Sequence, residues 1–262
     1  MRTSANALGS SIQKMEAKRK LARIRRVIMI GSGKGGVGKS LISCAIAFFL
    51  AKKGFRTGIL DIDIHGASLP IYLELSSPLR STEKGLDPKI VNGGLKVMSL
   101  ALFTGSNPIP VRGAEKDSLI TDLFALTNWG NLDFLVVDLP PGLGDEILSA
   151  FSLFREKASL ILVTTPSPNS TEIVSRLQQL ADNEAMPVKG VVVNMAYSLY
   201  HSRKLFPFGQ AENREVERSL NSRIIGEIPL DSRVSTQGLL HILGTRGAFS
   251  KTLKKLTESI IR

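Results

Sequence analysis

The stretch GSGKGGVGKS, residues 31–40, decides the fold. From Gly33 to Ser40 it matches the pattern G-x-x-x-x-G-K-S, in which glycines turn backbone N–H groups toward phosphates, a lysine neutralises them and a serine hydroxyl holds Mg²⁺. Lys39 and Ser40 take the last two roles. The stretch therefore predicts a phosphate-binding loop, and it leaves Lys34, at the mouth of the loop, without a role.

The segments on either side of the loop support this prediction. VIMI (27–30) is typical of a buried strand and LISCAIAFFLA (41–51) of a helix, so bound phosphates would meet a helix N-terminus. A chance match in a glycine-rich turn is the alternative, and we disfavour it because acidic strand ends follow in the expected order. The same helix is the longest apolar run and is shorter than the roughly 18 residues of a membrane span.

Apolar β-branched runs alternate with helical patterns along the rest of the chain. The predicted strands are RVIMIG (26–31), TGILDID (57–63), LKVMSLA (95–101), LDFLVVD (132–138), SLILVTT (159–165), KGVVVNM (189–195) and RIIGEIP (223–229). The predicted helices lie near 40–53, 115–128, 145–155, 169–183, 211–221, 232–241 and 248–261. This rhythm predicts an α/β fold, a doubly wound and mostly parallel sheet flanked by helices. Residues 70–94 and 196–210 do not fit it and are expected to be loops.

Positive charge is concentrated at the N-terminus. The 262-residue chain has a net charge of +11, and residues 1–26 hold eight Lys or Arg against one Glu, which leaves seven of those charges there. We expect a basic arm over residues 1–25 and a single domain over 26–262. Such an arm can bind nucleic acid or anionic lipid, but a solvated or loosely docked helix is the favoured interpretation. An apolar stripe of Ile12, Met15, Leu21 and Ile24 is only partial.

The cysteine content and the N-terminal sequence indicate in which compartment the protein works. Cys44 is the only cysteine, so no disulfide framework and no cysteine cluster can form within one chain. The basic N-terminus lacks the apolar stretch of a secretory signal. We expect a cytoplasmic location. At the other end, Phe249, Leu253, Leu256 and Ile260 form a helical stripe, for which packing on the sheet is the simplest explanation.

Carboxylates end two of the predicted strands. Asp61 and Asp63 close LDID (60–63), and Asp138 closes FLVVD (134–138). Such groups can order Mg²⁺ and a hydrolytic water beside a γ-phosphate. Capping of strand-to-helix turns is the alternative for each one. Three carboxylates at two strand ends around one phosphate loop make capping alone a poor explanation, so Ser40, Asp63 and Asp138 are the predicted metal-binding set.

GKGGVGKS (33–40) resembles the deviant Walker A loop of the nitrogenase-iron-protein, MinD, ParA and Mrp ATPases. That resemblance implies that Lys34 crosses a dimer interface to the partner's nucleotide. Within the superfamily the chain is most similar to Mrp/ApbC-type proteins, proposed iron–sulfur cluster carriers. The matching segments are DIDIHGASLP (61–70), the block 111–148, TTPSPNS (164–170), VVVNMAY (191–197) and GEIPLD (226–231).

The resemblance also implies roles for individual residues. Lys34, Lys39, Asp63 and Asp138 would be the catalytic set, with Asp63 orienting water. Gly142, Gly144 and Asp145 would form a second switch. The residues expected to contact ATP are Gly33, Lys34, Gly35, Gly36, Val37, Gly38, Lys39, Ser40 and Leu41, with Asn194 and Pro229 flanking the adenine.

One departure from the family pattern concerns the cargo. The family places C-x-x-C after N-M-x-Y, whereas this chain reads NMAYSLYHSRKLFPFG (194–209), with Tyr200 and Arg203 at the cysteine positions. Neither side chain supplies the thiolate that iron–sulfur clusters require. His201 is the nearest alternative ligand, and we expect it to be solvated. We expect Cys44 to be a small buried apolar residue of the helix that follows the loop, and not a ligand. We expect no cluster of the chain's own at this place.

Three functions are consistent with these patterns. The leading one is a slow Mg²⁺-dependent ATPase that dimerises around ATP and controls an unidentified protein partner. The second is an iron–sulfur or metal carrier that uses other ligands or another subunit's cysteines. The third is a MinD- or ParA-like positioning ATPase that holds DNA or anionic lipid through its basic arm or through the terminal FSKTLKKLTESIIR (249–262), and this function is not favoured.

Overall fold

A computed structural model provides the fold. It describes residues 2–261 except 64–65, 67, 76–78, 84, 105–113, 202 and 210–212, and only the backbone of 2–10, 103–104, 114–118, 168 and 213–215. The strands are β1 (Ile24–Gly31), β2 (Thr57–Asp61), β3 (Arg80–Thr82), β4 (Gly85–Asp87), β5 (Lys89–Val91), β6 (Leu95–Ser99), β7 (Leu132–Asp138), β8 (Ala158–Thr164), β9 (Val188–Val193), β10 (Ser198–Tyr200), β11 (Arg203–Leu205) and β12 (Ile224–Glu227).

The helices separate these strands along the chain. They are α1 (Arg2–Ala22), α2 (Lys39–Lys52), α3 (Leu69–Tyr72), α4 (Ala101–Thr104), α5 (Ala114–Leu126), α6 (Asp145–Phe154), α7 (Pro168–Asn183), α8 (Asn213–Leu220), α9 (Arg233–Gln237), α10 (Leu239–Gly244) and α11 (Ala248–Ile261). Among the described residues, no helix is long and apolar enough to cross a membrane.

Eight strands form one central sheet in the order β12-β9-β8-β1-β7-β2-β6-β5. Every neighbouring pair is parallel except β5 with β6, which is antiparallel. Apolar side chains pack on both faces of the sheet, in one cluster with α1, α5, α6 and α7 and another with α2, α10 and α11. The predicted doubly wound α/β fold is confirmed.

The strand order places a crevice beside β1. The chain runs outward from β1 to β2 on one side, and after β7 it crosses β1 to reach β8 on the other. Ligands of open α/β sheets bind at the carboxyl ends of the strands where the order reverses in this way. The loop that follows β1 lies at that place.

Three segments differ from the sequence predictions. The predicted loop at 70–94 contains most of α3 and the short strands β3, β4 and β5, and the predicted loop at 196–210 contains the β10–β11 hairpin. Strands of three residues are too short to show a period-2 pattern. The helix expected over 232–241 is two helices, because Gly238 between them has φ 81°, a left-handed conformation that ends a helix.

The N-terminal helix α1 docks on the domain through its C-terminal half. Ala17 and Leu21 are buried in the same apolar cluster as α5. The Lys20 ammonium donates to the Thr127 carbonyl at 2.8 Å, just beyond the end of α5. This contact helps to explain how a helix with so many positive charges lies against the domain, because an ammonium that turns inward meets a carbonyl oxygen at a helix C-terminus.

The predicted N-terminal apolar stripe, which runs from α1 to the first residue of β1, is only half buried. Leu21 and Ile24 are in the core, whereas Ile12 is 60% and Met15 is 72% exposed. The tail helix α11 differs, since Phe249, Leu253, Leu256 and Ile260 of its stripe are all buried against the sheet. Packing therefore accounts for the stripe of α11, as the simplest interpretation predicted.

Candidate nucleotide-binding site

The glycine loop runs from the end of β1 to the start of α2. Gly36 has φ 79° and Gly38 has φ 83°, conformations that residues with a Cβ rarely adopt. A Cβ at Gly38 would also overlap Asn194 Nδ2. A Cβ at Gly33 would come within 2.6 Å of the Ile173 carbonyl carbon on α7. Gly33 and Gly38 are required because neighbouring backbone and side-chain atoms leave no room for a Cβ, and Gly36 is required because of its positive φ.

The opposite side of the loop is open. A Cβ built on Gly35 or on Gly36 would meet no atom within 4 Å. The first helical residue after the loop is Lys39, so the unpaired N–H groups of the α2 N-terminus lie beside this space. Open space, free backbone donors and the positive end of a helix dipole together suit a polyphosphate.

A buried ion pair lies beneath the loop. Lys39 Nζ is 2.8 Å from Asp138 Oδ1, and the two side chains are 6% and 0% exposed. Ser43 Oγ donates to the same oxygen at 2.7 Å, and Lys39 Nζ also donates to Ser40 Oγ at 3.2 Å. The pair brings the predicted phosphate lysine, the predicted Mg²⁺ serine and the carboxylate that ends β7 into one cluster.

Asp138 has binding capacity to spare. Its Oδ2 atom is buried and makes no hydrogen bond with any described residue. A buried carboxylate oxygen without a partner is costly unless a cation or a bound water meets it. The cluster of Ser40 hydroxyl and Asp138 carboxylate beside an open anion-binding loop therefore fits Mg²⁺ with a nucleotide phosphate, whose oxygens are the ligands that Mg²⁺ prefers.

Asp61 lies next to Asp138 because their strands are neighbours and the two residues are in register. It accepts hydrogen bonds from Ser99 Oγ at 3.0 Å and from the Asp63 backbone N–H at 3.0 Å. Complete burial, reinforced by the Asp138 charge, raises the pKa of Asp61 to about 8. Asp61 is therefore a weaker acid than an exposed aspartate.

Asp63 lies just beyond the end of β2. Its side chain is 7% exposed, and its Oδ1 atom accepts a hydrogen bond from the Gly66 N–H at 3.0 Å. Asp63 therefore supports its own turn, which was the alternative that the sequence left open.

The remaining predicted nucleotide residues lie around the same edge. Asn194 follows β9, and its Nδ2 atom donates to the Val37 carbonyl in the loop at 2.8 Å. Pro229 is buried just beyond β12, the neighbour of β9. Leu41 is half-buried in the first turn of α2. The structure thus joins the Asn194 side chain directly to the phosphate loop.

The predicted second switch contacts the phosphate loop through the backbone. The Gly142 N–H donates to the Ser32 carbonyl at 3.0 Å, and Gly142 has φ 94°. Gly144 precedes α6, and Asp145, the first residue of that helix, is exposed. The segment 142–145 therefore contacts the phosphate loop at its first residue and is exposed to solvent at its last.

Lys34 differs from Lys39 in its surroundings. Its carbonyl accepts a hydrogen bond from Ser32 Oγ at 3.1 Å, and the residue is half-buried. In the part of the chain that the structure describes, its ammonium forms no ion pair, whereas Lys39 is paired with Asp138.

Tyr200 and Arg203, the residues at the expected cysteine positions, are directly opposite each other across the β10–β11 hairpin. His201, in the turn, packs its ring on Tyr200 with centroids 4.5 Å apart. Cys44 is fully buried in α2, where burial and then the Asp138 and Asp61 charges raise the pKa of its thiol. Among the described residues, no three His, Cys, Asp or Glu side chains cluster as a metal site.

Sequence reasoning missed Ser43 and Ser99, which hold the two buried carboxylates. Both had a signal. Ser43 is four residues after Lys39, hence on the same face of α2, and Ser99 ends a strand at the edge where Asp61 and Asp138 end theirs. Polar residues in otherwise apolar segments at these places indicate contact with the site.

The chain matches the family model of ParA proteins described as NUBPL iron-transfer P-loop NTPases, over residues 23–260. It is 34% identical to an iron-sulfur cluster carrier protein of Saccharolobus solfataricus over 84% of this chain and 76% of that protein. A carrier of the same name from Methanocaldococcus jannaschii is 31% identical over 95% and 89%. A nucleotide-binding protein from Archaeoglobus fulgidus, solved in complex with ADP, is similar with a TM-score of 0.74 and 30% identity, over 94% and 93%.

Proposed function

The chain belongs to the family of NUBPL iron-transfer P-loop NTPases, and we propose that it is a slow Mg²⁺-dependent ATPase that dimerises around ATP to control a protein partner. The observation that carries this proposal is the buried Lys39–Asp138 pair beneath the open glycine loop, with Asp138 Oδ2 left without a partner among the described residues. A structural ion pair alone would not require an open anion-binding loop above it.

Each residue of the cluster has a role in this proposal. Lys39 neutralises the β- and γ-phosphates, Ser40 holds Mg²⁺ and Asp138 holds the metal through water. Mg²⁺, when bound, neutralises charge on the phosphate oxygens and orients them for in-line attack. Asp63 orients the attacking water. Asp61 shapes the Asp63 turn through its bond to the Asp63 N–H, and its burial beside Asp138 raises its pKa.

Nucleotide state is transmitted by the segments that touch the loop. Asn194 and Pro229 flank the adenine, and the Asn194 amide already contacts the loop at Val37. The second switch of Gly142, Gly144 and Asp145 is joined to the loop through Ser32. A γ-phosphate bound at the loop would therefore affect the exposed residue Asp145 through the backbone contact between Ser32 and Gly142.

Lys34 acts in trans in the proposed dimer. Among the described residues of its own chain it has no anion to neutralise, whereas Lys39 already serves the phosphates. A lysine at the mouth of the loop can place charge on the transferring phosphate of the opposite subunit, and charge supplied at that point stabilises the transition state. The proposed partner face is consequently the nucleotide edge of a second copy of this chain.

Titration calorimetry with ATP and Mg²⁺ tests nucleotide binding. We expect a heat of binding that disappears when Mg²⁺ is chelated and in the Lys39→Ala variant. No heat at millimolar ATP would contradict the proposal.

The trans role is tested by mixing Lys34→Ala subunits with Asp63→Ala subunits, because one site of each heterodimer would then hold both residues. Mixed enzyme no more active than either variant alone would contradict it.

An iron–sulfur carrier is the second candidate function, because the similar proteins from S. solfataricus and M. jannaschii bear that name. Such a carrier would need ligands other than its own thiolates, since the single cysteine is buried in α2. We propose that the chain alone holds no [4Fe–4S] cluster and that the hairpin at residues 198–205 contacts something else. Anaerobic reconstitution with iron and sulfide distinguishes the two candidates.

A further inference from the structure

The hairpin segment, residues 197–209, is the most apolar exposed part of the described surface. Six of the thirteen large hydrophobic side chains that are exposed in the described residues lie on it or beside it. They are Leu199, Tyr200, Leu205, Phe206 and Phe208 on the segment, and Leu230 next to it. A contiguous apolar surface of this kind marks an interaction site, whereas single exposed hydrophobic residues are ordinary.

Both faces of the hairpin are uncovered. Because strand side chains alternate, Tyr200 and Leu205 point to one face, where they are 63% and 50% exposed, and Leu199 points to the other with Lys204, where Leu199 is 46% exposed. Phe206, which follows β11, is 38% exposed. A hairpin isolated on both sides is only marginally stable in water. A flat protein surface could cover one face, whereas a medium that surrounds the hairpin covers both.

The charge of the segment is entirely of one sign. Residues 196–211 contain Arg203, Lys204 and His201 and no Asp or Glu. Lys204 packs its ammonium 4.2 Å from the centre of the Tyr197 ring, so the cation lies among the aromatic side chains. Asp231, which follows Leu230, is already paired with Arg233. A second copy of the hairpin would therefore bring only like charges together.

We propose that the hairpin segment binds the surface of an anionic lipid bilayer. Aromatic and aliphatic side chains interleaved with Lys and Arg are the composition that lies at the headgroup level, where rings enter the acyl boundary and cations meet anionic headgroups. The two strands satisfy each other's inner backbone groups and β10 also bridges to Leu230, but the outer edge of β11 needs water, so the segment enters only to headgroup depth. The hairpin follows β9, whose end bears Asn194, so the proposed bilayer contact and the nucleotide site are connected by only a few residues of chain.

Vesicle sedimentation of the full chain tests this proposal. We expect binding to phosphatidylcholine vesicles that contain roughly 30% phosphatidylserine and little binding to pure phosphatidylcholine. Arg203→Gln/Lys204→Gln should weaken binding at least about tenfold, since each cation near the surface contributes roughly fivefold. Phe206→Ser/Phe208→Ser should weaken it by at least as much. Because these side chains are exposed, unchanged circular dichroism is expected for every variant.

The matched control is Ile12→Ser/Met15→Ser on α1, an exposed apolar pair beside other basic residues. It should leave the affinity within about twofold. A Phe208→Trp variant adds a direct readout, because the natural Trp129 is 1% exposed and does not report on the surface. The emission of this variant should shift to the blue with anionic vesicles. The proposal is overturned if the wild type stays in the supernatant, if only the α1 variant loses binding, or if the emission of the Phe208→Trp variant does not change.

Discussion

The phosphate loop (31–41) and the hairpin segment (197–209) follow β1 and β9 of one sheet, with β8 between them, yet their surroundings are opposite. In the loop, Lys39 is 6% exposed and paired, and Gly33 and Gly38 touch other elements. In the hairpin segment, Lys204 is exposed and lies over a ring, and a Cβ at Gly209 would meet no atom within 4 Å. Similar residue types thus serve different ends in the two regions.

The two regions differ in how strongly the rest of the chain fixes their conformation. The loop is over-determined, because it makes contacts with α2, α7, β7 and the end of β9. The hairpin segment is under-determined, because its side chains have few partners within the described part of the chain. Loss of an interaction should therefore cost much stability in the first region and little in the second. The predictions below compare equivalent changes in both.

The largest effect is the difference in free energy of unfolding between Lys39→Ala and Lys204→Ala. Removing Lys39 leaves the Asp138 carboxylate buried and unpaired, which should lower the free energy of unfolding by about 3–5 kcal/mol and abolish ATP binding. Lys204→Ala removes an exposed cation–π contact and should cost at most about 1 kcal/mol. Urea unfolding measures both. The double variant Lys39→Ala/Asp138→Asn should recover part of the loss, and equal costs at the two lysines would contradict the comparison.

The next effect separates the two lysines of the loop itself. Lys34→Ala should lower ATP turnover about a hundredfold, the cost of removing one transition-state contact, and leave ATP affinity within a few-fold. Lys39→Ala serves as the control that loses both. Steady-state hydrolysis and calorimetry on the same preparations measure the split. Turnover in Lys34→Ala equal to that of the wild type would refute the proposed trans role.

A matched glycine pair tests how tightly each region is packed. Gly38 has φ 83° and Gly209 has φ 81°, so alanine incurs a similar backbone strain of about 1–2 kcal/mol at either place. At Gly38 the added methyl also overlaps Asn194 Nδ2, which must release the Val37 carbonyl. Gly38→Ala should therefore cost at least about 1 kcal/mol more than Gly209→Ala. Thermal unfolding of both variants checks the difference, and equal melting temperatures would show a loosely packed loop.

The smallest effect concerns iron binding. After anaerobic reconstitution, the iron content of the wild-type protein should be near zero. Tyr200→Cys/Arg203→Cys should gain iron, because the two positions are opposite each other in the hairpin and opposed side chains have Cβ atoms about 4.5–5.5 Å apart. Iron and sulfide are counted after gel filtration. About four irons per wild-type dimer, surviving Cys44→Ala, would show that the chain holds a cluster with other ligands.

Much of the fold could be predicted from local sequence. Strands β2, β6, β7 and β12 fall wholly within predicted runs, and β1, β8 and β9 begin one or two residues before theirs. The sheet buries them on both faces, so apolar residues run continuously and identify the strands without knowledge of their partners. The phosphate loop was equally clear, because its glycine spacing is a local requirement of backbone geometry. The antiparallel β5 and the β3–β4 and β10–β11 hairpins were missed because three residues carry too little pattern.

The sequence by itself determined the α/β class, the phosphate loop and the presence of a lysine beyond what one loop needs. The reason is that backbone conformation and strand burial depend on neighbouring residues. Only the tertiary structure decided that Ser43 and Ser99 support the carboxylates, that Asp61 becomes a weak acid, and that the hairpin lies uncovered on both faces. Each of these depends on the distance between residues from different elements, which the order of strands in the sheet sets and no local pattern contains.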